Sequence, residues 1–181
     1  MQKQTAAQPK LVTTAQAALS TPSDLPKDAV AEIAKQLNGL VVDAFALYVK
    51  TKNFHWHMSG PHFRDYHLLL DEQADQIFAS IDPIAERVRK LGAVTVRSVG
   101  EIAKNTRVKE SNPNFVPPLE MLRELVEDNK AMAANMRKAH KVCDDNADSG
   151  SAGLLEIAID ETERRTWFLF EASRTADETG H

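Results

Sequence analysis

Residues 52–92, KNFHWHMSGPHFRDYHLLLDEQADQIFASIDPIAERVRKLG, decide the fold. Apolar residues recur there at helical spacing up to Leu91, after a Gly60–Pro61 pair of the kind that ends one helix before the next begins. Imidazole and carboxylate side chains, the ligand types that suit iron, zinc and manganese, accompany the apolar stripe. The stretch predicts two helices joined by a tight turn, with candidate metal ligands on the second helix.

The candidate ligands on this second helix form two pairs. His67 and Asp71 are four residues apart, as are Asp82 and Glu86, so each pair shares one helix face. The gap between the pairs corresponds to about 16 Å along a helix at 1.5 Å per residue. Metal ligands lie within about 2–2.6 Å of the ion, so one chain cannot bring both pairs to one metal. An identical helix running antiparallel across a two-fold axis could, and the spacing therefore predicts a site shared between two chains.

His55 is the fifth candidate ligand. It lies at the end of the first predicted helix, and the turn that follows folds it back beside the second helix. At 100° per residue, the ligands of the second helix form a band on the flank of the apolar stripe, where a second subunit could cover them. The alternative is a solvated acidic face with one boundary histidine, since acid pairs four residues apart are common on helices.

Four long helices are predicted for most of the chain, at about residues 26–59, 61–92, 118–143 and 152–174. A structureless linker between the second and third would be unusually long for a compact domain, so we expect a short helix at about 96–105. The fold class is therefore all-α, a four-helix bundle with a ferritin-like crossover between helices 2 and 3. We expect a flexible tail at 1–25, the bundle at 26–176 and a frayed C-terminus at 177–181.

Composition sets limits on location and partners. The chain is 43% apolar and 27% charged, with a net charge of −4 and a single cysteine, which is typical of a globular protein of a reducing cytoplasm. No run of 18 apolar residues and no apolar signal region is found, so no membrane association is expected. The acidic balance argues against general polyanion binding by the body of the protein.

At the level of motifs, the chain resembles the Dps family, the mini-ferritins named for DNA protection during starvation. The run KNFHWHMSGP at 52–61, the pair His67-x3-Asp71 and the run Asp82-x3-Glu86-Arg87 carry the resemblance, which extends over about 26–175 and includes DETERRTWFL at 160–169.

The resemblance implies a shell of twelve subunits with ferroxidase centres at its two-fold interfaces. There Fe(II) would be oxidised to Fe(III), preferably by hydrogen peroxide, and stored as mineral in the cavity. The implied ligands are His55, His67 and Asp71 of one chain with Asp82 and Glu86 of its neighbour. Trp56 would pack beside the site and trap stray oxidising equivalents, or serve in interface packing alone.

Other histidines leave alternatives open. His57 and His62 add to the cluster around His55, and a zinc site is the alternative use of such a group. Pro83, inside the second helix, is expected to kink it and to re-aim Asp82 and Glu86. His140 is expected to be a hydrogen-bonded core histidine, and the C-terminal ETGH at 178–181 to match a ferritin ligand pair by coincidence only.

An acidic turn precedes the fourth long helix. The resemblance suggests a three-fold pore there, in which Asp144, Asp145 and Asp148 would form a negative funnel for cations. The alternative is an ordinary helix-terminal turn in which Asp148 or Ser151 caps the helix. The pore and the helix cap do not exclude each other.

DNA binding is expected to be weak and sensitive to salt, or absent at physiological salt. Twelve chains at −4 each carry about −48, which repels phosphate at long range. Binding would depend on Lys3 and Lys10 of the tails, acting together over twelve copies. A nucleoid-associated DNA-binding protein with incidental metal binding is the alternative function.

Overall fold

The computed structural model describes residues 18–175, which form five helices and no strand. They are α1 (Lys27–His57), α2 (Phe63–Lys90), α3 (Val99–Asn105), α4 (Pro118–Asp145) and α5 (Ser149–Ser173). The all-α prediction is confirmed, and α3 is the short helix expected in the crossover. The helix α2 continues through Pro83 to Lys90.

Two antiparallel helix pairs build the bundle. α1 packs along α2 and α4 along α5, while contacts of α1 with α4 and of α2 with α5 close the four-helix arrangement. Leucine, isoleucine and methionine side chains at helical spacing fill the interior. Among those fully buried are Leu37, Leu40, Leu47, Leu70, Ile77, Ile84, Leu122, Leu125 and Met136. Removing this much apolar surface from water is the main stabilising contribution to the fold.

The interior also contains a buried arginine. Arg165 of α5 is 3% exposed and donates from Nε to Asn129 Oδ1 at 3.1 Å and from Nη2 to Thr162 Oγ1 at 2.7 Å. Gln73 of α2 donates to the Arg165 carbonyl at 3.2 Å. Burial lowers the pKa of Arg165 to about 10, so it remains a cation at neutral pH. The polar groups in this part of the bundle are amides, a hydroxyl and a guanidinium.

α2 ends in a Schellman motif at a glycine. Gly92 has φ 83°, and its N–H donates to Arg89 O at 3.0 Å while Ala93 N–H donates to Val88 O at 3.1 Å. A Cβ at Gly92 would lie 2.9 Å from the carbonyl oxygen of Thr21. Two reasons therefore favour glycine at position 92: its positive φ, and the close approach of the segment that precedes α1.

That preceding segment runs across the end of α2. Thr21 Oγ1 donates to Arg89 O at 2.9 Å, and Arg89 Nη2 donates to Leu19 O at 2.7 Å. Part of the predicted tail thus contacts the bundle, whereas Lys3, Lys10 and the C-terminal 176–181 lie outside the described residues.

A buried carboxylate of α1 binds the crossover segment. Asp43 is 1% exposed and accepts from Arg107 N at 2.8 Å and from Arg107 Nε at 2.7 Å. Asn53 donates to Ser111 O at 3.1 Å near the other end of α1. None of the helices in residues 18–175 has the length and apolar character needed to cross a bilayer.

Two aromatic residues of α2 are more exposed than their helical spacing predicts. Phe63 falls on the apolar stripe by its helical spacing and Phe78 beside it, but they are 45% and 54% exposed. Phe78 lies on the same side of α2 as the ligand band, and its ring contacts that of Tyr48 of α1, with centroids 5.1 Å apart.

Candidate metal centre

His55 and His67 are held together by a reciprocal pair of hydrogen bonds. His55 Nδ1 lies 2.8 Å from His67 O, and His67 Nδ1 lies 3.0 Å from His55 O. Their rings stack, with centroids 3.7 Å apart. A carbonyl oxygen can only accept, so each Nδ1 carries the hydrogen, and in the neutral ring each Nε2 keeps a free lone pair. The Nε2 atoms of both rings can therefore accept a cation.

The turn between α1 and α2 produces this pairing. α1 ends at His57, Met58 is buried, and Gly60 has φ 96°, which reverses the chain within five residues. The last turn of α1 therefore lies beside the first turns of α2. Phe63 stacks on the outer face of His67 with centroids 5.0 Å apart, which further fixes the ring.

Asp71 lies next to the histidine pair but has a cationic partner. Its Oδ1 is 3.7 Å from His55 Nε2 and 2.5 Å from Lys52 Nζ. The hydrogen bond from Lys52 lowers the pKa of Asp71, and the same bond raises the pKa of Lys52. Lys52 was not predicted to take part in the site. Lys52 lies three residues before His55, on the helix face that points to α2, and this spacing could have indicated that it reaches the same site.

Asp82 and Glu86 do not join this group within one chain. Both are exposed, and Glu86 lies 3.4 Å from Lys90 Nζ at the surface. In residues 18–175, no three histidine, cysteine or acidic side chains converge as a metal site would require. Within one chain His55, His67 and Asp71 are neighbours, and Asp82 and Glu86 form a separate exposed pair. The interior around Arg165 offers no carboxylate cluster of the kind that binds metals inside ferritin-like bundles.

Trp56 lines a groove that neither His55 nor His67 lines. It is 65% exposed and lines a groove of about 970 Å³ between α1 and the crossover, together with Val49, Val99 and Phe115. His57 lines the same groove and donates from Nδ1 to Asn53 O at 2.8 Å.

The predicted histidine cluster is not assembled as a zinc site in the described part of the chain. His62 lies beside the ring of Tyr66 on α2, with centroids 5.6 Å apart, and is exposed. His57 faces the groove instead, so these two histidines have different surroundings.

The acidic turn has a partner for each carboxylate. Asp144 Oδ2 lies 3.2 Å from His140 Nδ1, and Asp145 Oδ1 lies 2.8 Å from Lys141 Nζ. Asp148 is 3% exposed and caps α5, accepting from Ser151 N at 3.0 Å. Asp148 therefore caps α5, as one of the two alternatives predicted. Because the Asp148 side chain is buried, it is unsuited to line a solvent funnel within this chain.

His140 is not the core residue that was expected. Its side chain is 24% exposed, and Nε2 lies 3.3 Å from Glu156 Oε1 of α5. It lies at the boundary of α4 and α5 between two carboxylates, because Ala139 rather than His140 occupies the fully buried position of that turn.

Known proteins share this fold and these motifs. A family model described as a ferritin-like domain matches residues 34–175. A DNA protection during starvation protein of Agrobacterium fabrum is 30% identical over 149 residues, covering 82% of this chain and 92% of that protein. The chain belongs to the Dps family. An uncharacterised low temperature-induced protein of Nostoc is 34% identical over 134 residues, covering 74% of this chain and 75% of its own.

Solved structures of Dps proteins agree with this assignment. DpsC of Streptomyces coelicolor superposes with a TM-score of 0.83 at 29% identity, over 86% of this chain and 91% of that one. Dps of Thermosynechococcus elongatus superposes with a TM-score of 0.79 at 27% identity, over 83% and 95%. The ferritin-like bundle of this Dps-family chain is therefore established over nearly all described residues.

Proposed function

We propose that the protein is a ferroxidase and iron-storage shell. Fe²⁺ is its substrate and binds between His55, His67 and Asp71 of one subunit and Asp82 and Glu86 of a two-fold partner. The observation that carries this proposal is the reciprocal hydrogen bonding of His55 and His67, which turns both Nε2 lone pairs outward beside Asp71. A solvated polar face does not explain this arrangement, because the Nδ1 atom of each ring is hydrogen-bonded to a backbone carbonyl of the protein.

The ligand types suit iron oxidation. Imidazole nitrogen is a good ligand for Fe²⁺, whereas carboxylate oxygen is a hard donor that favours Fe³⁺. A site with three carboxylates and two imidazoles therefore stabilises the product of oxidation more than the substrate. The stacked His55 and His67 rings have fixed orientations, so little reorganisation accompanies the change of iron charge.

The oxidation balances with hydrogen peroxide as the electron acceptor. Two Fe²⁺ ions each lose one electron, and one hydrogen peroxide takes up both electrons and two protons as its O–O bond breaks, leaving two waters. The Fe³⁺ produced hydrolyses and is stored as mineral. Consuming Fe²⁺ and peroxide together removes the reagents that would form hydroxyl radicals, which is how such a shell would protect DNA.

A two-fold axis would complete the shared site. Pairing His67 with the partner's Glu86 position and Asp71 with its Asp82 position requires two α2 helices antiparallel, and one isologous interface then completes two sites. The exposed Phe78 lies between the two pairs of ligands along α2 and offers apolar surface to such an interface. We propose twelve subunits in total, as the family resemblance implies.

DNA association is the second candidate function. The name of the Agrobacterium relative refers to DNA protection. For this chain, the net charge of −4 per subunit argues that any direct binding depends on tail residues such as Lys3 and Lys10. We propose weak binding that is lost above about 0.2 M salt, and a mobility shift that persists there would favour the nucleoid-packing alternative.

The deciding experiment loads the assembled protein with Fe²⁺ without oxygen and then adds peroxide. The native protein should oxidise Fe²⁺ with a saturable initial rate and retain a ferric core through gel filtration. An Asp82→Asn/Glu86→Gln variant should lose most of that rate, whereas the matched control Glu120→Gln/Glu127→Gln, on exposed positions of α4, should keep it. Equal rates for the native protein and the Asp82/Glu86 variant would refute the site assignment.

A further inference from the structure

α2 carries candidate ligands on both sides of a proline. Pro83 has no N–H, so the Ala79 carbonyl lacks its usual helical donor and the two halves of α2 are coupled less firmly. Asp82 and Glu86 are exposed and have no deep anchor of their own. Where their carboxylates point therefore depends on what holds the backbone of α2 from Pro83 onward.

Arg87 attaches this second half of α2 to the start of α5. Its Nη2 lies 2.5 Å from Asp148 Oδ1, and its Nε donates to Ser151 Oγ at 2.9 Å. The guanidinium lies against Gly150, where an added Cβ would be 2.9 Å from Nη2 and 3.0 Å from Cζ. The absence of a side chain at Gly150 thus makes room for this contact.

The far side of the contact is itself fixed. Asp148 N–H donates to Cys143 O at 2.9 Å in the turn that ends α4. Asp148 Oδ1 and Oδ2 accept from Ser151 N at 3.0 Å and from Ser151 Oγ at 2.5 Å. These bonds, with those from Arg87, keep the pKa of Asp148 low although burial opposes this. Arg87 is therefore bound to a rigid and charged point on the α4–α5 turn.

We propose that Arg87 is a positioning residue that sets the rotation of the second half of α2 and so aims Asp82 and Glu86 at the shared site. The inference rests on the proposed ferroxidase function. Glu86 and Arg87 are neighbours and point about 100° apart around the helix. A rotation of about 10° moves a carboxylate 5–6 Å from the helix axis by about 1 Å. Metal–ligand distances tolerate only about 0.2 Å.

The test displaces the guanidinium without changing its chemistry. Gly150→Ala places a methyl group against Arg87, and alanine is otherwise favourable within a helix. Gly153→Ala on the same helix is the matched control, because nothing lies within 4 Å of its added Cβ. Arg87→Met removes the contact, and Arg87→Lys keeps the charge with a single contact point.

Each variant is measured as the assembled oligomer, checked by light scattering. Two readouts are taken: the visible absorption of bound Co²⁺ in an anaerobic titration, and the initial rate of Fe²⁺ oxidation against Fe²⁺ concentration. For Gly150→Ala and Arg87→Met we expect the half-saturating metal concentration to rise about tenfold, with an altered Co²⁺ spectrum and a smaller change in the maximal rate. Arg87→Lys should fall between these and the native protein, and Gly153→Ala should match the native protein.

The outcomes separate the two proposals. If Gly150→Ala and Arg87→Met assemble and bind Co²⁺ and Fe²⁺ as the native protein does, the positioning role is wrong, even if their thermal stability falls. If Arg87→Met does not assemble, the Gly150→Ala result decides alone. Failure of the underlying function looks different: the native protein itself would show no saturable Fe²⁺ oxidation, or Asp82→Asn would leave it unchanged.

Discussion

Lys52 and Asp71 form an ion pair at the candidate metal ligands, with Nζ 2.5 Å from Oδ1. The same Asp71 oxygen lies 3.7 Å from His55 Nε2, so the ammonium group and an incoming cation compete for one carboxylate. The chain therefore carries its own cation at these candidate ligands. In the proposed site, Fe²⁺ would have to displace this ammonium group or bind with fewer ligands.

Removing this competitor should strengthen metal binding. In Lys52→Met the Asp71 carboxylate is free and one positive charge near the site is lost, so we expect the half-saturating Fe²⁺ concentration to fall about three- to fivefold. Anaerobic titration with Co²⁺ and initial oxidation rates measure this. Lys104→Met, an exposed lysine of α3, is the control and should have no effect. Weaker binding in Lys52→Met would mean that the lysine organises Asp71 instead of competing for it.

Two inactive variants should restore each other if the site is shared. A His67→Gln chain keeps the acidic half, and a Glu86→Gln chain keeps the histidine half, so each pure oligomer has only damaged sites. Chains mixed in equal amounts and refolded together should form half mixed dimers, each with one intact site, giving about a quarter of the native activity. Peroxide-dependent Fe²⁺ oxidation of the purified mixture measures this. Activity no higher than that of either parent would contradict a site between chains.

The α4–α5 turn contains a strained alanine. Ala147 has φ 59°, and its N–H donates to Asp144 O at 3.0 Å, in the position of a Schellman motif that glycine usually occupies. Ala147→Gly should raise the free energy of unfolding by about 1 kcal/mol, since glycine adopts this conformation without a Cβ clash. Gly92→Ala, at the matching position of α2, should lower it by about 1–3 kcal/mol. Urea denaturation of both variants gives the comparison; a loss of stability in Ala147→Gly would contradict the strain.

Cys143 should be unreactive in the native protein and should weaken it at alkaline pH. Its side chain is fully buried, and burial raises its pKa from 9.0 to about 11. Because the folded pKa is raised, this contribution to stability is complete below pH 9 and is lost as the pH rises to 11. The loss should be about 2 kcal/mol relative to Cys143→Ala, measured by urea denaturation at both pH values. A disulfide reagent should label the thiol only after unfolding, and rapid labelling of the folded protein would contradict this burial.

Helix periodicity, glycine and proline were sufficient to predict the fold. α2 begins two residues after the predicted start at Pro61 and ends just before Gly92, because apolar spacing and helix-ending residues act locally. The pairing of His55 with His67 also followed from a short turn. Each of these features depends on residues close together in the sequence.

Features that depend on distant residues were missed. Lys52 reaches Asp71 from another helix, and Arg87 reaches Asp148 over 61 positions in the sequence. Neither contact corresponds to a fixed spacing of residues along the chain, so the sequence alone does not reveal it. Phe63 follows the helical period of the core but is 45% exposed, since periodicity alone does not distinguish a bundle interior from the surface of a helix.

The separation of His67 and Asp71 from Asp82 and Glu86 has a thermodynamic consequence. A ligand that bridges two molecules stabilises their association by RT ln(1 + [L]/Kd), about 2.7 kcal/mol for each site at a hundredfold excess over Kd. With the proposed site, an isologous dimer contains two such bridges. Iron bound at the proposed site would then also promote assembly, and we expect chains made during iron shortage to associate less tightly than chains made when iron is plentiful.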